Sequence, residues 1–228
     1  MLSRTVVQSR RGRAAFSLVE LMIVILIISI LMTVAAVTVN GLTGGKSVTA
    51  AMTNVEALAA EARTLAVSKG TNARLMVDVN DNTQQDRYLR RVVVAYQDTD
   101  PNTGKVVPGS WSLSSRGYVL PDKVFFSKTY SKKDHKNGIP LDTPFNFTSG
   151  KAEYQGKYII YEFNSEGICQ TPGASFVVGS GVRAPGKDPM VAGSAKSDFG
   201  GFVIWRNGRT SMFRTPQHIG LPKTVTNF

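Results

Sequence analysis

Few side chains in this sequence have the type and spacing to do chemistry. Histidine occurs only at His135 and His218, far apart and without clustered carboxylates or a candidate nucleophile nearby. An acid–base or zinc centre would therefore have to form without motif support. Cys169 is the sole cysteine, which excludes an intramolecular disulfide and a multi-cysteine metal site. A lone thiol of this kind reads as a small buried hydrophobe. Asp98, Asp100 and Asn102 alternate ahead of Gly104, and Asp78, Asn80 and Asn82 alternate ahead of Asp86, so two loops offer oxygen ligands of the kind calcium takes. Neither has glycine at the sixth loop position or glutamate at the twelfth, so turns made by Asx side chains are the better reading. There is no phosphate-binding loop. No catalysis, metal or cofactor is expected.

Two constellations remain. Lys128, Lys132, Lys133 and Lys136, with Tyr130 and His135, form the densest basic patch beyond the N-terminal region. Basic and aromatic residues together can hold nucleic acid, so DNA is one candidate partner, the other reading being a solvated loop. The second constellation is Glu20, a carboxylate in the segment Arg10 to Leu21, RRGRAAFSLVEL, at the head of an apolar run. Acidic groups in bilayer-embedded helices are costly and usually have a partner.

The elements that would position Glu20 are legible. Leu21 to Val39 gives nineteen residues without a charge, and at roughly 1.5 Å per residue this spans a hydrocarbon core of about 30 Å. Arg4, Arg10, Arg11 and Arg13 precede it and no acidic residue does until Glu20, so the positive-inside bias keeps the N-terminus cytoplasmic and sends the rest outward. A secretory signal peptide fits less well: the run is longer than an ordinary h-region, and NGLTGGKS follows it where a small-x-small cleavage site would stand. A plain signal anchor stays open on composition alone. After a break at Gly41, Gly44 and Gly45, Val48, Met52, Val55, Leu58, Ala62 and Leu65 form one apolar stripe of an amphipathic helix, with Gly70 as its terminator. Ser17 is a candidate N-cap.

The segment around Glu20 resembles the processing site of type IV prepilins and pseudopilins. In that family a prepilin peptidase cuts on the cytoplasmic side just before a Phe and methylates the new amine. The resemblance places the cut between Ala15 and Phe16, N-methylation on Phe16, and Glu20 as the assembly residue facing the N-terminal amine of a neighbouring subunit. The family usually has Gly before the cut, where this chain has Ala15. A second resemblance lies in VEALAAEARTLAVSKGTNARLMVD, YVLPDKVFF, IIYEFNSEGIC and GFVIWRNGRTSMF, which look like the H-type minor pseudopilins of type II secretion and related FimT-like minor pilins.

The resemblance implies an α+β fold, with a long N-terminal helix packed on an antiparallel β-sheet domain. It implies a leader at 1–15, a transmembrane helix at 16–39, an amphipathic helix at 40–70 and an extracytoplasmic β-rich domain at 71–228. It also implies a single pass through the inner membrane and assembly with other pseudopilin or pilin subunits, toward protein secretion, a pilus or DNA uptake. Composition agrees with one core plus an extension: 228 residues, 42% hydrophobic and 19% charged, with a formal charge of +11.

From Ala73 onward, short β-branched and aromatic runs predict strands at Ala73 to Val79, Arg90 to Gln97, Ser110 to Leu113, Lys123 to Phe126, Lys157 to Asn164, Ser175 to Val178, Gly201 to Arg206 and Arg209 to Arg214. Asn207-Gly208 predicts a type I′ hairpin turn. The segments 130–153 and 179–200 read as long polar insertions, and loops of this length are uncommon unless functional or disordered.

Overall fold

A computed structural model describes residues 18–84, 86–131, 143–145, 147, 152–171, 173–191, 198–213, 216–219 and 228, leaving out the side chains of 30–46, 143–145, 216 and 219. The chain divides into two compact units, Met1–Asn40 and Gly41–Phe228. The architecture is α+β, an N-terminal helix and an antiparallel sheet domain.

Helix α1, Leu18–Lys69, runs without interruption through the glycines at Gly41, Gly44 and Gly45, one long N-terminal helix as the resemblance implies. Glycine weakens a helix interior by about 1 kcal/mol without forbidding it. The helix ends at Gly70, whose φ of 63° only glycine adopts without cost. The Gly70 N–H donates to Val67 C=O (3.3 Å) and the Thr71 N–H to Ala66 C=O (3.1 Å), the paired bonds of a Schellman cap.

Within Gly41–Phe228 the buried line of α1 is Val48, Ala51, Met52, Val55, Ala59, Ala62 and Ala66, while Leu58 and Leu65 lie at its flank, partly buried. The predicted stripe therefore turns toward its alanines. The helix faces two sheets, and small side chains let its backbone approach both. Ten strands follow: β1 (Ala73–Asp78), β2 (Arg91–Thr99), β3 (Val106–Leu113), β4 (Tyr118–Val119), β5 (Val124–Phe126), β6 (Thr143–Phe145), β7 (Gly156–Phe163), β8 (Ala174–Ser180), β9 (Phe199–Ile204) and β10 (Thr210–Phe213).

The strands form two sheets. One has the order β3-β2-β1-β7-β6, with β4 also pairing β2, and the other the order β10-β9-β8-β5. These pairs are antiparallel, with Leu75 opposite Val94 on one side and Tyr161 on the other. Strict alternation buries both faces of the first sheet. Leu75, Val77, Val92, Val94, Ile159 and Tyr161 join the helix. Met76, Val93, Ala95, Trp111 and Tyr158 make a second cluster with Phe147 and Tyr154.

The second sheet repeats this plan. Phe126, Phe176, Val178, Phe202 and Ile204 face the helix. Phe125, Val177, Phe199, Val203 and Phe213 pack with Phe228 on the opposite face. Phe176 joins the layers: it stacks on Phe202 with ring centroids 5.2 Å apart and meets Tyr161 of the first sheet at 5.6 Å.

The described parts of the first insertion pack on the first sheet, while the middle of the second is mostly exposed. From the first come β6, paired to β7, and Phe147, 2% exposed. In the second, Val182 bridges Met190. Phe147 packs with Tyr154 and Tyr158 on the outer face of the first sheet, whereas Val182 and Met190 stay exposed.

The β9–β10 connection also departs from expectation. Only Gly208 has positive φ (73°), and its N–H donates to Trp205 C=O at 2.8 Å. The turn is of type I with a glycine bulge rather than type I′.

Candidate functional site

Glu20 lies in the first turn of α1 and is exposed. A carboxylate there is favoured by the helix dipole, by roughly 0.3–1 kcal/mol at an exposed site. Around it, every apolar side chain from Leu18 to Ile28 is between 47% and 74% exposed. The Ser29 hydroxyl returns to Ile25 C=O (2.8 Å), so the polar group interrupting this run is satisfied within the helix. A helix apolar all round has no stable place in water and needs lipid or like helices as its surroundings.

Among the described residues no helix is long and apolar enough to cross a membrane. The predicted span Leu21–Val39 extends into 30–46, whose side chains lie outside the described set. Ala15, Phe16 and Ser17 also lie outside the described residues.

In the unit Gly41–Phe228, the structure gives the predicted ligand loops other work. Asp78 is 2% exposed and pairs with Arg91, which donates from Nε at 3.0 Å and Nη2 at 2.5 Å. Arg91 Nη2 also reaches Glu153 C=O at 2.6 Å, and its guanidinium lies 4.6 Å from the Tyr154 ring centroid. The Tyr158 hydroxyl donates to Tyr154 C=O (2.7 Å), and burial, followed by the Asp78 charge, pushes its pKa up to about 12. Asn80 accepts from the Lys157 N–H, and Asn82 donates to Gly186 C=O.

In the other loop Asp100 Oδ1 accepts from the Asn102 N–H (2.8 Å), an Asx turn, and Asp98 accepts from Ser110. Among the described residues no three His, Cys, Asp or Glu side chains converge to hold a metal. His218 is exposed in the short 3-10 turn Pro216–Ile219, and His135 lies outside the described residues. Cys169 is buried, its Sγ 3.3 Å from Thr171 Oγ1, and burial pushes the thiol up.

Of the four lysines in the basic patch, Lys128 alone is described. Its ammonium is engaged by Tyr88 Oη (2.9 Å) and Asp188 Oδ2 (3.4 Å), while Tyr88 donates to Asp188 Oδ1 at 2.6 Å. Burial acts to lower the Lys128 pKa, but the bond to Tyr88 and the Asp188 charge outweigh it and hold it above the usual value. The Tyr88 hydroxyl bond keeps the Asp188 carboxyl low. Lys132, Lys133 and Lys136 lie outside the described residues. Sequence reading missed this cluster and the Asp78–Arg91 pair, because the partners stand on different elements and share no local pattern.

Residues 10–36 match the model of the prokaryotic N-terminal methylation motif. That motif stands at the head of helix α1, with the antiparallel sheet domain following it in the chain. Among solved structures, the chain is similar to the type IV minor pilin FimU of Pseudomonas aeruginosa strain PAO1. The identity is 11%, with 79% of this chain and 92% of that chain covered and a TM-score of 0.39. No curated protein matches the sequence significantly.

Proposed function

We propose that the chain is a minor pseudopilin of the H type, a structural subunit of a type II secretion pseudopilus and not an enzyme, the minor type IV pilin being the alternative. Prepilin peptidase would cut between Ala15 and Phe16 and methylate Phe16. The apolar helix from Phe16 to Val39 would then hold the subunit in the inner membrane, with the N-terminus cytoplasmic, until it packs among like helices. The observation that carries this reading is Glu20 in the first turn of a helix that is apolar and exposed from Leu21 to Ile28, inside a methylation motif.

Assembly is then burial of that apolar surface, and Glu20 sets register by pairing with a neighbour's N-terminal amine. A wrong register would leave a carboxylate uncompensated in apolar surroundings. The test is intact mass and N-terminal sequencing of protein from its native membrane, together with filament yield for Glu20→Ala. A mature chain starting at methylated Phe16 and loss of the variant from filaments are expected. An uncut N-terminus, or a variant that assembles normally, would overturn the reading. Crosslinking from α1 in the native membrane, with the captured subunits identified by mass, separates the pseudopilus from the pilus.

A further inference from the structure

A cleft of about 320 Å³ opens where the start of β5 meets the segment following β8, lined by Arg90, Asp122, Lys123, Phe125, Val182 and Arg183. Its apolar wall is Phe125, with the guanidinium carbons of Arg90 and Arg183 at 6.0 and 5.9 Å from the ring centroid. Both guanidiniums are held in place. Arg90 Nη2 donates to Leu120 C=O and to Asp122 Oδ1, each at 2.8 Å. Arg183 Nη1 donates to Tyr88 C=O (3.1 Å) and Nη2 to Gln84 C=O (2.9 Å). The Arg183 Nε–H is buried and has no hydrogen-bond partner among the described residues. Such a donor is costly to leave unmet.

We propose that this cleft is a carboxylate-binding site centred on Arg183. The two carbonyls take one N–H from each Nη, which leaves Nε–H and a second Nη N–H to meet one carboxylate side-on, the fork geometry a guanidinium offers. Lys123 stands exposed at the rim, and the ligand's apolar part rests on Phe125 and Val182, which is 51% exposed. Three cations line the cleft against the single carboxylate of Asp122, which is exposed and takes one bond from Arg90 Nη2.

The backbone at Lys123 is held at φ 64°, a costly conformation for a residue with a Cβ, and the Gly181 N–H fixes it by donating to Lys123 C=O at 2.7 Å. Strain of this kind concentrates at ligand sites. Burial holds the Arg183 pKa below its usual value, opposed by Tyr88 and reinforced by the Arg90 charge, and an anion would relieve the burial cost and the repulsion. The volume lies at the small end of ligand pockets, about 300 Å³, and suits an acidic side chain or a small carboxylic acid.

The test uses full-length ¹⁵N-labelled protein in a nonionic detergent, titrated separately with propionate, inorganic phosphate and an N-acetylated, C-amidated Glu-Val dipeptide. NMR follows the backbone amides of Gly181 and Val182 and, in the parent, the Arg183 Nε–H. Saturable shifts with both carboxylates are expected, weakened about tenfold in Arg183→Lys, which keeps the charge and loses the fork. Lys123→Gln, an exposed change, keeps the test valid should Arg183 variants fail to fold, and weakens binding about threefold. Dipeptide binding much tighter than propionate identifies a partner polypeptide as the source, and equal binding a free acid, both consistent with the site. Shifts that do not saturate, parent-like affinity in both variants, or phosphate binding tighter than propionate would overturn the proposal.

Discussion

Asp78 and Arg91 are both nearly inaccessible, with 3% and 6% of their side-chain surface exposed, so each has surrendered its hydration for the other. Removing one partner strands the other charge among Tyr154, Tyr158 and Met76. Asp78→Ala is therefore expected to lower stability by about 3–5 kcal/mol, read by chemical denaturation of the full chain in detergent. The double variant Asp78→Ala with Arg91→Met, which removes both charges, should recover much of that loss. Tyr158 supplies a pH signature. Its folded pKa is raised to about 12 from an ordinary 10.0, so the neutral phenol favours the fold. That stability is fully present below about pH 10 and is lost as pH rises through about 12. Tyr161, wholly buried with its hydroxyl donating to Ser175 C=O at 2.8 Å, is also pushed well up. Phenolate absorbance during alkaline titration should show these two tyrosines ionising only together with unfolding, after the exposed tyrosines.

At the scale of elements, α1 and the β9–β10 turn carry the sharpest constraints. Ala62 is fully buried in the helix line facing both sheets. Ala62→Leu should cost about 1–3 kcal/mol by overpacking, whereas Leu58→Ala, at the flank, should cost less than a fully buried leucine would. Thermal unfolding of the two variants side by side checks the order. At Gly208 a Cβ would meet the Gly167 carbonyl and the Arg63 side chain, at a φ of 73° that disfavours any other residue. Gly208→Val is expected to destabilise by about 1–3 kcal/mol, measured the same way. The position of this turn was legible from Asn207-Gly208. Its type was not, because a type I turn with a bulge and a type I′ turn use the same residues and differ in how the flanking strands twist together.

At the scale of the whole molecule, one chain combines a helix head suited to apolar surroundings with a domain that buries its own sheet faces. The domain carries its own buried clusters on both faces of each sheet. Loss of Glu20→Ala from filaments, with the domain's unfolding unchanged, is the expected separation of these roles.

The N-terminal motif, the helix with its Gly70 terminator, and eight of the strands could be read from the sequence by itself, because they depend on residue spacing and hydrophobic period within a few turns of chain. Only the tertiary structure decided that the strands make two sheets, that alanines rather than leucines face them, and that Asp78 at the end of β1 pairs with Arg91. It alone also placed Arg90 and Arg183 over one phenylalanine. These features rest on contacts between residues distant in sequence, and such contacts are chosen by what fills the interior and satisfies its buried charges, which no local pattern records.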